Sequence, residues 1–317
     1  MKNLFVSLFV VILFATVTFG QSNTATTTQT GSLNAAFVEQ LGSTNTAIIL
    51  SSGNNNDDHS FITHAFTVPN TSISYPAPML AKGVTQHGNF NTGLITQSWN
   101  YNKAGIAQYG NSDMATINQM DPTVSSTSYR NAWIDQLDGN TNTASIMQVG
   151  QVDESYILQK GGLNNAQVTQ INVALSDVVQ NGSGNHLTQF QSGGGLSPNM
   201  NEAYSYQIGN TNYATQSQSG AANKSLITSI GSSNGLLSDA ISTLQTGNGN
   251  SASIEEGLAG AVNFSLASIL QTGSLNNATV SQEGGNLNEA RVSQTTDGNI
   301  AHVVQSGASN FSTVSQH

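Results

Sequence analysis

Apolar and polar positions alternate along this chain, and the alternation restarts every eleven residues. From Gln29, the unit Q-x-G-x-x-N-x-A-x-V-x-Q is filled by Gln29, Gly31, Asn34, Ala36, Val38 and Gln40. The next unit shares its first residue and reads Gln40, Gly42, Asn45, Ala47, Ile49, Ser51. The pattern resumes as Gln86, Gly88, Asn91, Gly93, Ile95, Gln97 and runs through Asn102, Gln108 and Gln119. It goes on as Gln136, Gln148, Gln159, Asn164, Gln170, Gln180 and Gln191, then as Gln207, Asn212, Gln218, Asn223 and Ser229. Gln245, Asn250, Glu256, Gln271, Asn276, Gln282, Gln294, Asn299, Gln305, Asn310 and Gln316 complete it. Fourteen steps between first positions are eleven residues long, and three more differ by one.

Parity turns this spacing into a fold. Asn, Ala, Val or Ile, and the closing Gln occupy alternate positions, so in an extended chain all four point to one face. The Gly two residues after each Gln is a turn signal that permits positive φ. One unit is then a strand of about six residues plus a tight turn, too short for a helical crossover. The predicted fold is all-β: a β-solenoid of twenty-two-residue strand–turn–strand–turn rungs, about eleven of them, with two parallel sheets facing each other. Stacking rungs at about 4.8 Å places like on like, so Ala and Val/Ile columns lie between columns of Asn and Gln. Each amide in such a column donates and accepts along the stack, leaving no buried polar group unpaired. Eleven residues also approximate three helical turns, but a Gly in every unit and the scarcity of Leu, Lys and Glu argue against a long helix. An unstructured Gln/Asn-rich tract would not hold Val or Ile at one phase.

Composition agrees with the columns. Asn (37) and Gln (25) outnumber the 24 charged residues, and charge is only 8% of the chain, against about a quarter in ordinary globular domains. A charge repeated in a stacked slot would repel its own copies. There is no Cys, hence no disulfide framework or thiolate site. Seven cations and a net charge of −10 leave no means of neutralising phosphates, so nucleic acid is not an expected partner. Residues 1–20, with Lys2 ahead of an apolar run from Leu4 to Phe19, read as a secretory signal peptide. No later segment is apolar enough to span a membrane. The expected organisation is a short arm at 21–28 and a single solenoid at 29–316, interrupted by insertions near 52–85, 120–131, 194–201, 232–239 and 257–265. The two insertions at 120–131 and 194–201 are expected on corners of one parity, those at 232–239 and 257–265 on the other.

Gln207–Ile208–Gly209–Asn210–Thr211–Asn212–Tyr213–Ala214, and the runs from Gln159, Gln271 and Gln305, resemble the curlin repeat of bacterial curli fibre subunits. The resemblance covers roughly 29–51 and 86–316. It implies a secreted subunit that self-assembles into extracellular amyloid fibres of a bacterial biofilm matrix and cell surface, aiding adhesion. It also implies a nucleating subunit and an outer-membrane secretion pore as partners. The array is longer than is usual in that family, and only Gln21 to Thr28 precede it where family members carry a stretch read by the pore. Neither end of the repeat shows an atypical cap, so head-to-tail addition of the same chain is the expected contact, with the amide positions as its surface.

Other chemistry is sparse. His59 and His64 share an insertion with Asp57 and Asp58, a weak metal hint outweighed by an ordinary surface-loop reading. Gly193–Gly194–Gly195 lacks a following Lys-Ser/Thr and reads as a turn. No nucleophile–base or paired-carboxylate arrangement stands out, so neither enzyme activity, metal nor cofactor is expected. Asp113, Asp135, Asp153 and Asp177 are candidate gatekeepers against premature assembly, although solvated or turn positions are the better reading. Trp133, Tyr156 and Tyr204 fall on outward strand positions, where they could stack on sugars or dyes, although scattered aromatics on a sheet are more often ordinary β-formers. The alternative function is therefore a non-polymerising β-solenoid adhesin that binds glycans. An ice-binding solenoid would need a regular outward Thr-x-Thr array. A polysaccharide lyase would need longer rungs and clustered Asp, Lys or Arg. The outward pairs Ala35/Phe37, Thr46/Ile48, Lys103/Gly105 and Glu154/Tyr156 offer neither.

Overall fold

The computed structural model describes residues 22–56, 66–67, 74–75, 83–120, 129–193, 200–235, 240–257 and 262–317. These residues form a β-solenoid with no helix, in two parallel sheets between which the chain alternates. Sheet 1 stacks twelve strands: Thr24–Thr30, Thr46–Ser52, Thr92–Ser98, Met114–Met120, Thr143–Val149, Asn165–Ile171, His186–Ser192, Tyr213–Ser219, Ile241–Thr246, Leu266–Thr272, Glu289–Gln294 and Phe311–Gln316. The continuous path of sheet 2 has eleven: Val38–Leu41, Gly83–His87, Asn102–Asn111, Arg130–Asn140, Asp153–Lys160, Ala174–Asn181, Asn201–Asn210, Lys224–Ser232, Ser251–Glu256, Asn277–Glu283 and Ile300–Ser306. Every contact between stacked neighbours is parallel and aligns the closing residue of one unit with that of the next, as in Gln148↔Gln170 and Gln136↔Gln159. The eleven-residue period thus becomes one strand, and two periods make one rung.

The interior is built as parity requires. Ala47, Ala115, Ala144 and Ala166 sit beside Ile49, Ile117, Ile146 and Val168 in sheet 1, facing Ala104, Ala132, Ile106 and Ile134 of sheet 2, all buried. Small Ala at one slot and branched Val or Ile two residues on let two sheets close tightly. A fully buried Ile or Val contributes about 1.5–3 kcal/mol each.

The glycine two places after each Gln is fixed by its neighbour as well as by its own backbone. Gly209 has φ +118°, and a Cβ there would lie 1.7 Å from the carbonyl oxygen of Gly231 in the next rung. The residue before most inward Asn also adopts positive φ and often carries a side chain, as at Leu33, Phe90, Leu163 and Thr211.

The chain enters strand earlier than the repeat alone suggests. Residues 24–28, expected as arm, belong to Thr24–Thr30, which pairs with Thr46–Ser52 from Thr24↔Thr46 onward. Four β-branched threonines there favour extended backbone even where the Gln-x-Gly spacing has not begun. The long insertion departs from within a sheet 2 strand. Asn56 takes the slot between Asn34 and Asn102, yet the strand resumes only at Gly83, opposite Gly105. Between them the described residues form one antiparallel pair, Phe66–Thr67 with Ser74–Tyr75. The connections containing 121–128 and 194–199 lead from sheet 1 to sheet 2, and those containing 236–239 and 258–261 lead from sheet 2 to sheet 1.

Candidate functional site: the amide columns

The closing Gln of each unit lies inside the solenoid, and successive copies are hydrogen-bonded. In sheet 1, Nε2 of Gln97 donates to Oε1 of Gln119, and the chain continues through Gln148, Gln170, Gln191, Gln218, Gln245, Gln271, Gln294 and Gln316 at 2.8–3.2 Å. In sheet 2 the series runs Gln40, Gln86, Gln108, Gln136, Gln159, Gln180, Gln207 at 2.7–2.9 Å, and again from Gln282 to Gln305 at 2.8 Å. Every one of these bonds has the same direction, from an Nε2 to the Oε1 one rung nearer the C-terminus. The second Nε2 hydrogen crosses the core. Gln108 donates to the Thr92 carbonyl, Gln119 to that of Lys103, Gln159 to that of Thr143 and Gln170 to that of Glu154. Both donors of each such amide are therefore used, which is what makes burial of so many amides tolerable.

The Asn columns work differently from the side-chain-to-side-chain ladder that the sequence suggests. Each Asn Oδ1 accepts the backbone N–H of the Asn one rung on: Asn45 to Asn91, Asn142 to Asn164, Asn164 to Asn185, Asn185 to Asn212 and Asn212 to Asn234 in sheet 1. In sheet 2, Asn201, Asn223, Asn250 and Asn276 serve Asn223, Asn250, Asn276 and Asn299 in the same way. The Nδ2 instead holds the turn carbonyls, as when Asn91 donates to Gly110 O and Asn223 to Gly247 O. Side-chain contacts between rungs are an occasional addition: Asn185 Nδ2 donates to Asn164 Oδ1 at 3.1 Å as well as to the Gly209 carbonyl, and Asn310 Nδ2 donates to Asn288 Oδ1. Asn299 and Asn310 keep the pattern near the C-terminal end, the N–H of Asn310 donating to Asn288 Oδ1. A further column on the corners escaped the sequence reading. The residue after the turn Gly is often Asn, and its Oδ1 takes a backbone N–H of the preceding rung, as in Ser43→Asn89, Asn89→Asn111 and Asn111→Asn140. The signal was present as Gly-Asn at Gly88–Asn89, Gly110–Asn111, Gly139–Asn140, Gly209–Asn210 and Gly247–Asn248.

The Curlin associated repeat family model matches residues 20–53, 139–171, 265–294 and 285–317. The chain carries curlin repeats. A search of curated proteins found no match. The four matched stretches include both ends of the stack and its middle, and the curlin-repeat slots are those occupied by the two kinds of column.

Several curlin-repeat slots carry substitutes. Arg130 and Asp153 replace Asn on adjacent strands of sheet 2, directly opposite each other and both fully buried. The Arg130 guanidinium donates to Asn102 Oδ1 at 2.7 Å and to the Gly150 carbonyl. Asp113 replaces Asn in sheet 1, and its Oδ1 accepts the Asn142 N–H at 2.9 Å. Burial raises the Asp113 carboxyl to about 6, against the opposing hydrogen bond from Asn142. Glu256 stands in a Gln slot between Ser229 and Gln282. Burial raises it to about 8, and neither of its oxygens has a partner, nor has Gln282 Oε1. Glu256 is the register partner of Gln282, and its neutral carboxyl carries a proton of the kind that Gln282 Oε1 could accept. The slot tolerates the acid because the acid is uncharged there.

The four aspartates expected at solvated positions are all buried: Asp113 and Asp153 within Asn columns, Asp135 and Asp177 on the outward side of sheet 2. Burial raises Asp135 to about 7. The outward aromatics are covered as well. Trp133 and Tyr156 are only 5% and 7% exposed and stack on each other with ring centroids 5.5 Å apart. With Ala107, Leu158, Val179 and Tyr206 they form a second hydrophobic cluster, against which Tyr204 packs half-buried. Alternation predicts which way a side chain points, not what lies over it, so the open sugar-stacking platform is not what the structure presents. A third feature breaks the Val/Ile column itself. Gln189 and Gln216 occupy it in adjacent strands, and Ser176 Oγ, Gln189, Gln216 and Ser225 Oγ form a buried hydrogen-bonded relay between the sheets.

Charge is divided between the two outer faces. The first ten strands of sheet 1 contain no Asp, Glu, Lys or Arg, and Glu289 and Arg291 in the eleventh pair with each other at 2.7 Å. Sheet 2 carries the rest of the strand charges, including the Lys224–Glu202 pair at 3.2 Å. His59, His64, Asp57 and Asp58 lie outside the described residues, among which no group of three metal-ligating side chains occurs. No described helix is long and apolar enough to cross a membrane.

Proposed function

We propose that this chain is a secreted structural subunit that adds head-to-tail to copies of itself, forming extracellular curli-like amyloid fibres of a bacterial biofilm matrix and cell surface that aid adhesion. The curlin repeat and the solenoid fit a curli-type structural subunit. The observation that carries the reading is the amide ladder, hydrogen-bonded in one direction and running on to Gln316. Among the described residues, Thr24–Thr30 and Phe311–Gln316 each pair with a strand on one side only. Parallel strand edges with unpaired N–H and C=O groups template further strands, and like-on-like stacking is the contact that amyloid uses. A nucleating subunit and an outer-membrane pore belong to the same reading as partners. Asp135 and Asp177, buried on the outer side of sheet 2, do not serve as exposed gatekeepers in it. The glycan-adhesin alternative loses its main support with the burial of Trp133 and Tyr156.

Purified chain starting at Gln21 should form fibres that bind thioflavin-type dyes and diffract with a meridional spacing of about 4.7–4.8 Å. A protein that stays monomeric for days at tens of micromolar overturns the reading.

A further inference from the structure

We infer that successive copies in such a fibre are related by a half-turn about the fibre axis, so that sheet 1 of each copy continues sheet 2 of the one before. The inference rests on the head-to-tail reading above. Its basis is the number of strands among the described residues: twelve in sheet 1 and eleven on the path of sheet 2, twenty-three along the stack, with the first and the last both in sheet 1.

Consecutive strands inside the chain already obey a half-turn rule. Closing Gln Nε2 groups donate across the core to a carbonyl near the start of the preceding strand, sixteen residues earlier wherever no insertion or one-residue change of spacing intervenes. This holds from sheet 2 to sheet 1 for Gln108→Thr92 and Gln282→Leu266, and from sheet 1 to sheet 2 for Gln119→Lys103 and Gln316→Ile300. The relation is the same at both kinds of corner. Each strand therefore advances by half a rung and turns by half a revolution, a two-fold screw of about 2.4 Å, half the strand spacing.

Applied at the junction, the rule gives one solution. After Phe311–Gln316 in sheet 1, the next strand belongs on sheet 2, over Ile300–Ser306. Thr24–Thr30 of the next copy fills that place, and its Val38–Leu41 then covers Phe311–Gln316. Without the half-turn, Thr24–Thr30 would sit on Phe311–Gln316, and sheet 2 would be left with a gap one strand wide at every junction.

The end groups match the rotated arrangement atom by atom. Gln305 and Gln316 have each donated one Nε2 hydrogen, to Glu289 O and Ile300 O, and their remaining hydrogens point onward. In the rotated stack these meet Oε1 of Gln29 and of Gln40 in the next copy. Gln29 Nε2 is buried with no partner. The carbonyl that the rule assigns to it is that of Phe311 in the preceding copy. In the same way Oδ1 of Asn299 faces the N–H of Asn23, and Oδ1 of Asn310 that of Asn34. Because charge is confined almost entirely to sheet 2, the charged face of one copy lies in line with the neutral face of the next. The subunit rise becomes about 55 Å, twenty-three half-rungs of about 2.4 Å, and the structural repeat spans two copies.

The absence of cysteine allows a direct test on the full chain from Gln21. In the rotated register Thr28 of one copy lies beside Val304 of the previous one; without rotation it lies beside Ser315. All three are outward and exposed. Preformed fibres of Thr28→Cys/Val304→Cys should convert under a short bifunctional thiol reagent into covalent multimers, and those of Thr28→Cys/Ser315→Cys should not. Cryo-electron microscopy of unlabelled fibres should give copies alternating by a half-turn. Fibres that cross-link only through the second pair, through neither, or whose copies all face one way overturn the half-turn while leaving polymerisation intact. Failure to form fibres at all removes the head-to-tail reading itself.

Discussion

Replacing Glu256 with Gln should stabilise its rung, by an amount that grows with pH. The Glu256 carboxyl is buried in a Gln column and raised from an ordinary value of 4.5 to about 8. Between these values the folded rung retains a proton that the unfolded chain has released. Stability contributed by this group is complete below about pH 4.5 and falls by about 1.4 kcal/mol per pH unit until about pH 8. At pH 7 the loss is about 3 kcal/mol relative to a side chain that does not titrate. A Gln at 256 loses nothing with pH and donates to Gln282 Oε1, which has no partner from the ionised acid. Solenoids open rung by rung, so the effect should be local and is best read by amide hydrogen exchange. The ratio of exchange rates, Glu256 over Gln variant, cancels the intrinsic pH dependence of the chemistry. For amides of Ser251–Glu256 and its neighbour Asn277–Glu283 that ratio should rise about tenfold per pH unit from pH 5 to 8 and level off above. A ratio that stays constant over this range would refute the assignment of a neutral acid to the ladder.

Three further outcomes follow from the packing. Gly209→Ala, with φ +118° and Gly231 O at 1.7 Å from the new Cβ, should destabilise its rungs by roughly 3 kcal/mol or more, whereas Gly284→Ala, with open space around it, should cost about 1 kcal/mol; hydrogen exchange in the two regions compares them. Arg130→Asn alone or Asp153→Asn alone should cost about 3–5 kcal/mol, because each leaves the other charge buried, while the double variant restores a plain Asn column and should come close to the original by the same measurement. Gln216→Val should cost about 1–3 kcal/mol by stranding Gln189, Ser225 keeping its bond to Thr243, and replacing Ser176, Gln189, Gln216, Ser225 and Thr243 together by apolar residues of similar shape should recover most of that loss in thermal unfolding.

The strand, the turn and the facing sheets were legible because a stacked fold repeats its constraints in every unit. Gln at the closing slot and Gly two residues later recur for separate physical reasons, a hydrogen-bonded column and an approaching carbonyl. Sequence failed where the constraint is not repeated. Nothing in Trp133 or Tyr156 says that an outward ring is covered, and Thr24–Thr28 becomes strand through its partner Thr46–Ser52 rather than through the motif. Gln189 and Gln216 were visible as residues, yet their sense depends on Ser176 and Ser225 across the core, distant in sequence. The different work of Asn and Gln, the one serving backbone N–H groups and turn carbonyls, the other its own copies, is not something that spacing reveals.

The hydrogen bonds of both sheets and of the Gln columns run along the same axis, while the covalent backbone runs across it. A pull along that axis loads all the bonds of one cross-section together, and none shears past its neighbour. When a cross-section within a subunit yields, the backbone still joins its two sides. The freed coil pays out up to about 75 Å of extended chain where about 4.8 Å of stack had been. A junction between copies has no such tether. Under tension, the interior of each subunit is thus a reserve of hidden length, and in the proposed filament the junction is where it would part.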